Sequence, residues 1–587
     1  MNILKVEQPL AVFKKLPSPL DRIEIPERAE NRKPTDKKFL YAFAVVIILL
    51  FPFLIYCLAK GDLSRWKGYD QCGNVCGQKN SKYEAWSCTG QDYTDSPYLD
   101  IDASFKETRG DDGLILISRR CVARCSSGYT DVFSSCYQLT SSSSSNIYGR
   151  NYDSRFRRDA DVEGSNGIGS DISKYLIKHA WRIVLACFAS FGVGIIMLVL
   201  FKTATAVVVW GILGGVLLFG AILIGTTWGF YLSPPVDKDT SSAQVYTTMY
   251  LVLAICFMVV WLVLVLVMIF MFKKIQLVIL LLNETTKAVF AMPLLIFVPM
   301  ISSCARLIIL ILVVFFHFYI STAGTLTELM SGYFYYKQNI IIDITFFFNS
   351  FVAYWCIQFI SGIQYMVIAG AVAKWYWSKN KNNLESPIKE SVSIVYKFHL
   401  GSIAFGSLVI TLIAIIRSLL TSLTQSKSFK ILVDLCAGSI ESFLKFLSKN
   451  SYIITAMHGK PFYKSGKRAA QIIFQNAVNI ATVNFVGDFV LGMAQLLIVL
   501  ISLLITVVIM LGAESDYSFL VYLIVFSVSL LISLTLFATF GTTIDTLFLC
   551  SCEDSLLNDG MARPYAMSRD LMMFIESSKK SFRSKAI

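Results

Sequence analysis

The sequence predicts an all-α polytopic membrane protein, with about ten transmembrane helices and a large disulfide-bonded extracellular loop between the first two. Hydrophobic side chains make up 55% of the 587 residues and charged ones only 16%, far below the roughly 25% charge of soluble proteins. Long apolar runs recur along the chain, and six cysteines gather in the one long polar segment between them.

The hydrocarbon core of a bilayer needs about 20 apolar residues in a helix. Seven runs free of Asp, Glu, Lys and Arg meet or approach that length: 39–59, 183–201, 203–231, 249–272, 344–373, 489–513 and 517–544. An eighth, 288–318, is interrupted by Arg306, and a ninth, 398–420, ends near Arg417. The tenth candidate, 431–457, contains Asp434, Glu441, Lys445 and Lys449. It is read either as a span inside the bundle or as an amphipathic helix at the interface.

The loops set direction. Nine Lys or Arg lie in the first 38 residues, five Lys in 374–397 and four bases between Lys460 and Arg468, whereas 232–247 has one Lys against two Asp and 512–516 has no base. Basic loops stay inside, so both termini are predicted to be cytoplasmic. The predicted organisation is a cytoplasmic segment 1–38, helix 39–59, an extracellular loop 60–180, the remaining bundle 181–549 and a cytoplasmic tail 550–587. Because 38 charged and polar residues precede the first span, it is expected to be an uncleaved anchor. The net charge of +13 follows from these loops, and no basic stripe interleaved with aromatics suggests nucleic acid.

Residues 60–180 hold Cys72, Cys76, Cys88, Cys121, Cys125 and Cys136. On the oxidising side of a membrane, three disulfides are expected rather than a metal site, with the pairing open. Ser141 to Ser145 and Arg155, Arg157 and Arg158 mark a low-complexity strap. The chain's one glycosylation sequon, Asn283-Glu284-Thr285, falls on the predicted inside.

No enzyme signature is present: His179, His317, His399 and His458 show no metal-ligand spacing, and neither a phosphate loop nor a nucleophile elbow occurs. No catalytic residue, metal or cofactor is expected. Gly211, Gly214, Gly215, Gly220, Gly225 and Gly229 read as close helix packing, with a hinge or backbone-lined passage as the alternative. In the sixth run, Tyr354, Gln358, Ser361 and Tyr365 recur at steps of four, three and four and share one helical face bordered by Trp355. A quaternary ammonium forms no hydrogen bonds and is held by aromatic faces, each worth about 0.5–2 kcal/mol. Tyr354, Trp355 and Tyr365, with Trp210 and Trp261 as further walls, are therefore the candidate binders, and Gln358 suits a substrate hydroxyl. Charges inside apolar spans cost a few kcal/mol and mark function by default. Among Arg306, Arg417, Asp434, Glu441, Asp488 and Asp545, the last two sit at ends of clear runs and are read as a gate, a proton-coupling site or interfacial caps.

The segment Asn558-Asp559-Gly560-Met561-Ala562-Arg563-Pro564-Tyr565-Ala566-Met567-Ser568, with Phe398 to Ile410 (FHLGSIAFGSLVI) and Asn484 to Leu491 (NFVGDFVL), resembles the choline transporter-like proteins, a solute carrier family. The likeness runs from about residue 39 to 576. It implies sodium-independent transport of choline, and for some members ethanolamine, across plasma or mitochondrial membranes, with endosomal membranes as a further alternative. Proton exchange has been proposed for the family. The implied partners are a small organic cation and the lipid bilayer. No site residue is carried over from the family.

Two other classes fit the residues: a membrane scaffold or receptor working through the cysteine-rich loop, and a channel or lipid-moving protein. Deleting the loop separates the first from a transporter. Conductance or scrambling in place of saturable uptake identifies the second.

Overall fold

The computed structural model describes residues 25–138, 168–233, 241–558 and 564–572, apart from short stretches within them. The expected strap, with Ser141 to Ser145 and Arg155, Arg157 and Arg158, lies outside the described residues, as do 234–240 of the loop 232–247 and Asp559 to Arg563.

Twelve α-helices are described: α1 (Lys37–Lys60), α2 (Ile168–Lys178), α3 (Ala180–Leu232), α4 (Ser241–Ala291), α5 (Phe297–Thr322), α6 (Ile340–Trp377), α7 (Pro387–Ile394), α8 (Leu400–Leu423), α9 (Lys427–His458), α10 (Phe462–Gln475), α11 (Ala477–Ile509) and α12 (Ser518–Leu557). Eight candidate spans, one of them joining α7 to α8, are long and apolar enough to cross a bilayer. The 53-residue α3 is broken by non-helical backbone at Ala204, so it contains both runs 183–201 and 203–231. Thr203 and Thr205 hydroxyls donate to the carbonyls of Leu200 and Phe201 there; such side-chain bonds satisfy polar backbone at a helix break in lipid. A 3₁₀ turn, Pro293–Ile296, leads into α5, and a π-helical turn, Val395–His399, joins α7 to α8.

α9 is the 431–457 candidate. Its charges stand outside the eight apolar spans by composition, yet the helix packs on α6, α8 and α12. The steps from Asp434 to Glu441, Lys445 and Lys449 are seven, four and four, which at about 100° per residue keeps all four within one quarter of the helix surface. Beyond Lys449 the helix buries Tyr452, Ile453, Ile454 and Met457, and the Asn450 and Ser451 side chains donate back to the carbonyls of Phe446 and Leu447.

α6 is the central element, packed on α1, α5, α8, α9 and α12. Asn339 caps it, its side-chain oxygen accepting the Ile342 N–H at 3.1 Å, and Asp343 in the first turn complements the helix dipole. At about 1.5 Å per residue its 38 residues reach about 57 Å, beyond the roughly 30 Å hydrocarbon thickness.

The cysteine-rich segment folds around a four-stranded sheet in the order β4–β1–β6–β5, where β1 is Tyr98–Asp102, β4 Ser118–Val122, β5 Tyr129–Val132 and β6 Ser135–Gln138, while β2 (Thr108–Arg109) and β3 (Ile115–Leu116) pair with each other. The disulfides are Cys72–Cys88, Cys76–Cys121 and Cys125–Cys136. Asp70 is buried among them: one oxygen accepts the N–H groups of Cys72 (2.9 Å) and Asn74 (2.7 Å), the other the Asn74 amide (2.9 Å) and the Tyr93 hydroxyl (3.1 Å). Burial and this carboxylate push the Tyr93 phenol up to about 12.

The sequence reading passes over a hairpin between α5 and α6, β7 (Thr325–Met330) with β8 (Tyr333–Lys337). It docks the loop onto the bundle. Phe334 N–H donates to the Gln71 carbonyl at 2.7 Å, the Tyr336 hydroxyl to the Gly73 carbonyl at 2.9 Å, and Arg65 lies 4.0 Å over the Tyr336 ring.

Candidate functional site

The polar face of α6 lies between α5, which supplies Arg306, and α9, which supplies Lys445 and Lys449. Arg306 donates to the Ser361 hydroxyl at 3.0 Å and the Ser303 hydroxyl at 2.9 Å. Two turns toward the start of α6, Tyr354 is within reach of Lys445. One turn toward its end, the Tyr365 ring lies 5.4 Å from the Lys449 ammonium. Gln358, half-buried, stands on the same face.

Lys449 joins this face to the acids of the last two helices. It is ion-paired with Asp545 of α12, and Asp488 of α11 is within electrostatic reach of both. An ammonium, an aromatic face and two carboxylates from four different helices thus share one locus. Asp488 and Asp545 do not sit at helix ends as the apolar runs suggested. α11 begins at Ala477 and α12 continues to Leu557, so each acid lies inside its helix, because polar residues beside an apolar run extend a helix as readily as apolar ones do.

Trp355 is not part of this locus. It is buried on the side of α6 facing α1 and α8, where its indole N–H donates to the Ala404 carbonyl (3.2 Å) and the Ser407 hydroxyl (3.1 Å), with Phe43 edge-on at 4.9 Å. One residue past Tyr354 the helix has turned by about 100°, which carries the indole off the shared face. Trp210 and Trp261 are likewise engaged elsewhere, in the seam between α3 and α4. Trp210 packs tilted against Phe272, with ring centroids 4.8 Å apart, and Trp261 donates to the Leu217 carbonyl at 2.9 Å. A Cβ added at Gly220 would come within 2.5 Å of the Trp261 ring, whereas Gly211, Gly214, Gly225 and Gly229 have nothing within 4 Å. Close packing therefore accounts for Gly220 and leaves most of that glycine series unexplained.

Further along α9 the other charges are satisfied. Arg417 of α8 bridges Asp434 and Glu441, both at 2.8 Å, and Glu441 also pairs with Lys445 at 2.6 Å. At the end of the bundle where the segments before α1 and after α12 pack, Glu553 pairs with Arg468 at 3.0 Å, and His458 Nε2 lies 3.2 Å from the same carboxylate oxygen. There the segment before α1 folds in, lining one side of a cavity of about 460 Å³. Arg32 lies 3.1 Å from His399 Nε2 and donates to the Ala456 carbonyl at 2.6 Å. Burial lowers Arg32 to about 10, still charged at neutral pH. A Cβ at Gly401, in the FHLGSIAFGSLVI stretch, would fall 2.5 Å from the Asp36 carbonyl oxygen, so glycine there admits the incoming chain.

A family model described as plasma-membrane choline transporter matches residues 255–556, more than half of the chain. The chain belongs to the choline transporter-like family. Choline transporter-like protein 1 of Xenopus laevis is 27% identical over 627 residues and that of Mus musculus 28% over 622, each alignment covering 94% of both chains. Choline transporter-like protein 2 of Salmo salar is 34% identical over 255 residues, 40% of this chain and 36% of that one. The family match takes in α6, α9, α11 and most of α12, and so the whole Tyr365, Lys449, Asp488 and Asp545 locus. As a choline transporter-like protein with several membrane-spanning helices, the chain is an integral, multi-pass membrane protein.

Lys449 is the residue that sequence reasoning undervalued. It entered as a charge that weakens a span, whereas its place at the end of the Asp434, Glu441, Lys445 stripe was the signal that the charges face inward.

Proposed function

We propose that this protein carries choline, or a related organic cation such as ethanolamine, across the plasma membrane without sodium, by alternating access. The observation that supports this most is the locus where Tyr365, Asp545 and Asp488 converge in a chain of this family. Two carboxylates attract a cation from a distance, and the aromatic face binds its methyl groups, which accept no hydrogen bond. Tyr354 and Gln358 line the approach along α6, with Gln358 placed for the substrate hydroxyl. Trp355 serves to pack α6 on α8.

In this reading ten crossings, counting the two halves of α3 together with α9, leave both termini in the cytoplasm and the disulfide loop outside. α6 and α9 keep the site between them while the surrounding helices rock, opening it first outward and then inward. A membrane potential adds about 2.3 kcal/mol per charge per 100 mV. That is about fifty-fold accumulation of a monovalent cation, enough for import without a second ion.

The test is uptake of labelled choline into proteoliposomes holding the purified protein, with an imposed potential, no sodium and unlabelled ethanolamine as competitor. Saturable, potential-driven uptake supports the reading. Its absence with correctly inserted protein rejects it, and conductance without saturation turns the reading to a channel.

A further inference from the structure

Lys449 already has around it what an organic cation would need: a carboxylate partner in Asp545 and the Tyr365 ring 5.4 Å from its ammonium. We propose that Lys449 is a tethered surrogate for the transported cation, occupying the substrate position in the empty protein and leaving it when substrate binds. This rests on the transport reading above and adds a residue-level account of how the site is kept neutral.

The charge balance supports it. Asp545 is largely buried, and a buried carboxylate without a counter-ion is strongly unfavourable. An empty cation site built on such an acid needs a cation of its own. Lysine suits this better than arginine, because its ammonium is a compact charge on a flexible four-carbon stem that can be withdrawn. When substrate takes Asp545, the displaced ammonium needs a second acid, and Asp488 on α11 lies within reach of its field. Asp488 is exposed at the locus, so it is open to receive the charge. Arg306 cannot substitute for Lys449, being held by the hydroxyls of Ser303 and Ser361 on the α5 side. Exchange of Lys449 between an acid of α12 and an acid of α11 links occupancy of the site to the packing of α9 on α12. The surrogate also screens substrates: a neutral solute cannot replace it.

The experiment measures binding of choline, with tetramethylammonium in parallel, to detergent-purified wild type, Lys449→Gln, Lys449→Arg and the double variant Lys449→Gln/Asp545→Asn. Removing a competing charge from a partly dry site is expected to lower the Kd of Lys449→Gln by about tenfold. Lys449→Arg is expected to bind more weakly than Lys449→Gln, and the double variant to lose the gain. The double variant also restores charge balance, so it remains informative if Lys449→Gln alone is unstable: its choline affinity must fall below that of wild type. Wild type that binds choline, with a Lys449→Gln Kd equal or higher, overturns the surrogate alone. If neither wild type nor any variant binds a cation, the transport reading falls and the surrogate with it. Binding that appears only once Lys449 is removed supports the surrogate.

Discussion

The hydroxyl of Tyr376, at the end of α6, donates at 2.9 Å to Oδ2 of Asp554 on α12, and the same oxygen accepts the backbone N–H of Met567 at 2.9 Å. Asn558 donates its amide to the other oxygen at 2.7 Å. A single carboxylate, with no exposed surface, thereby ties the segment after α12 to the centre of the bundle. Each hydrogen bond to a buried charge is worth about 1.5–3 kcal/mol. Tyr376→Phe is expected to lower the thermal unfolding midpoint of the detergent-purified protein, and Asp554→Ala to lower it further, since it strands three donors. Equal midpoints for wild type and both variants would contradict this arrangement.

Two aromatic substitutions on α6 separate packing from binding. Tyr365→Leu removes the ring beside the Lys449 ammonium and is expected to raise the KM for choline by about 2- to 30-fold, the range of about 0.5–2 kcal/mol for one cation–ring contact. Tyr365→Phe, which keeps the ring, stays closer to wild type. Trp355→Leu is expected to act differently, reducing thermal stability and the amount of folded protein while leaving KM nearly constant in what folds. Kinetic uptake at matched amounts of inserted protein checks both, and a raised KM for Trp355→Leu alone would return the indole to the site.

The α9 stripe gives an ordered pair of predictions. The side chain of Glu441 is 8% exposed and that of Asp434 49%, although both pair with Arg417 at 2.8 Å. Exposed pairs contribute little, whereas removing one partner of a buried pair strands the other. Glu441→Gln is therefore expected to destabilise the protein clearly more than Asp434→Asn, because it also releases Lys445. Thermal unfolding of the two variants side by side decides it, and the reverse order would place the stripe at the surface.

Much of this was legible from the residues. Length and apolarity locate the eight apolar spans, because lipid leaves the backbone no other partner, and the break at Ala204 falls two residues past Lys202, which separates the runs 183–201 and 203–231. Spacing put Tyr354, Gln358, Ser361 and Tyr365 on one face; of these Ser361 meets Arg306 of α5, and Tyr354 and Tyr365 meet Lys445 and Lys449 of α9. What spacing cannot supply is the neighbour. It put Trp355 at the border of that face, but only the approach of Ala404 and Ser407 shows that its N–H is spent on α8. Composition also left α9 open between a span and an interfacial helix, since four charges on one stripe weigh against a span by average hydropathy, while pairing with Arg417 and Asp545 is what makes them tolerable. The NDG and MS motif carried a family likeness without a reason. Asp554, four residues earlier and outside the motif, is what its Asn558 and Met567 bind.

The disulfide loop yields the last prediction. Cys76–Cys121 closes a separation of 45 residues and Cys125–Cys136 one of 11. In the chain-entropy account the stabilisation grows with the logarithm of loop length, so the longer bridge constrains the unfolded loop more. It also joins the Asp70 hub to the edge strand β4, whereas Cys125–Cys136 ties the segment just after β4 to the inner strand β6. Replacing Cys76 and Cys121 together with Ser is expected to expose the loop to added protease and to loosen its dock on the β7–β8 hairpin, measured by limited proteolysis of intact cells. Replacing Cys125 and Cys136 together is expected to leave the hub and the dock protected. Uptake of choline should survive the second change and, because the hairpin leads directly into the Asn339 cap of α6, fall in the first. Equal proteolysis of the two double variants would mean that the sheet, and not the hub, holds the loop on the bundle.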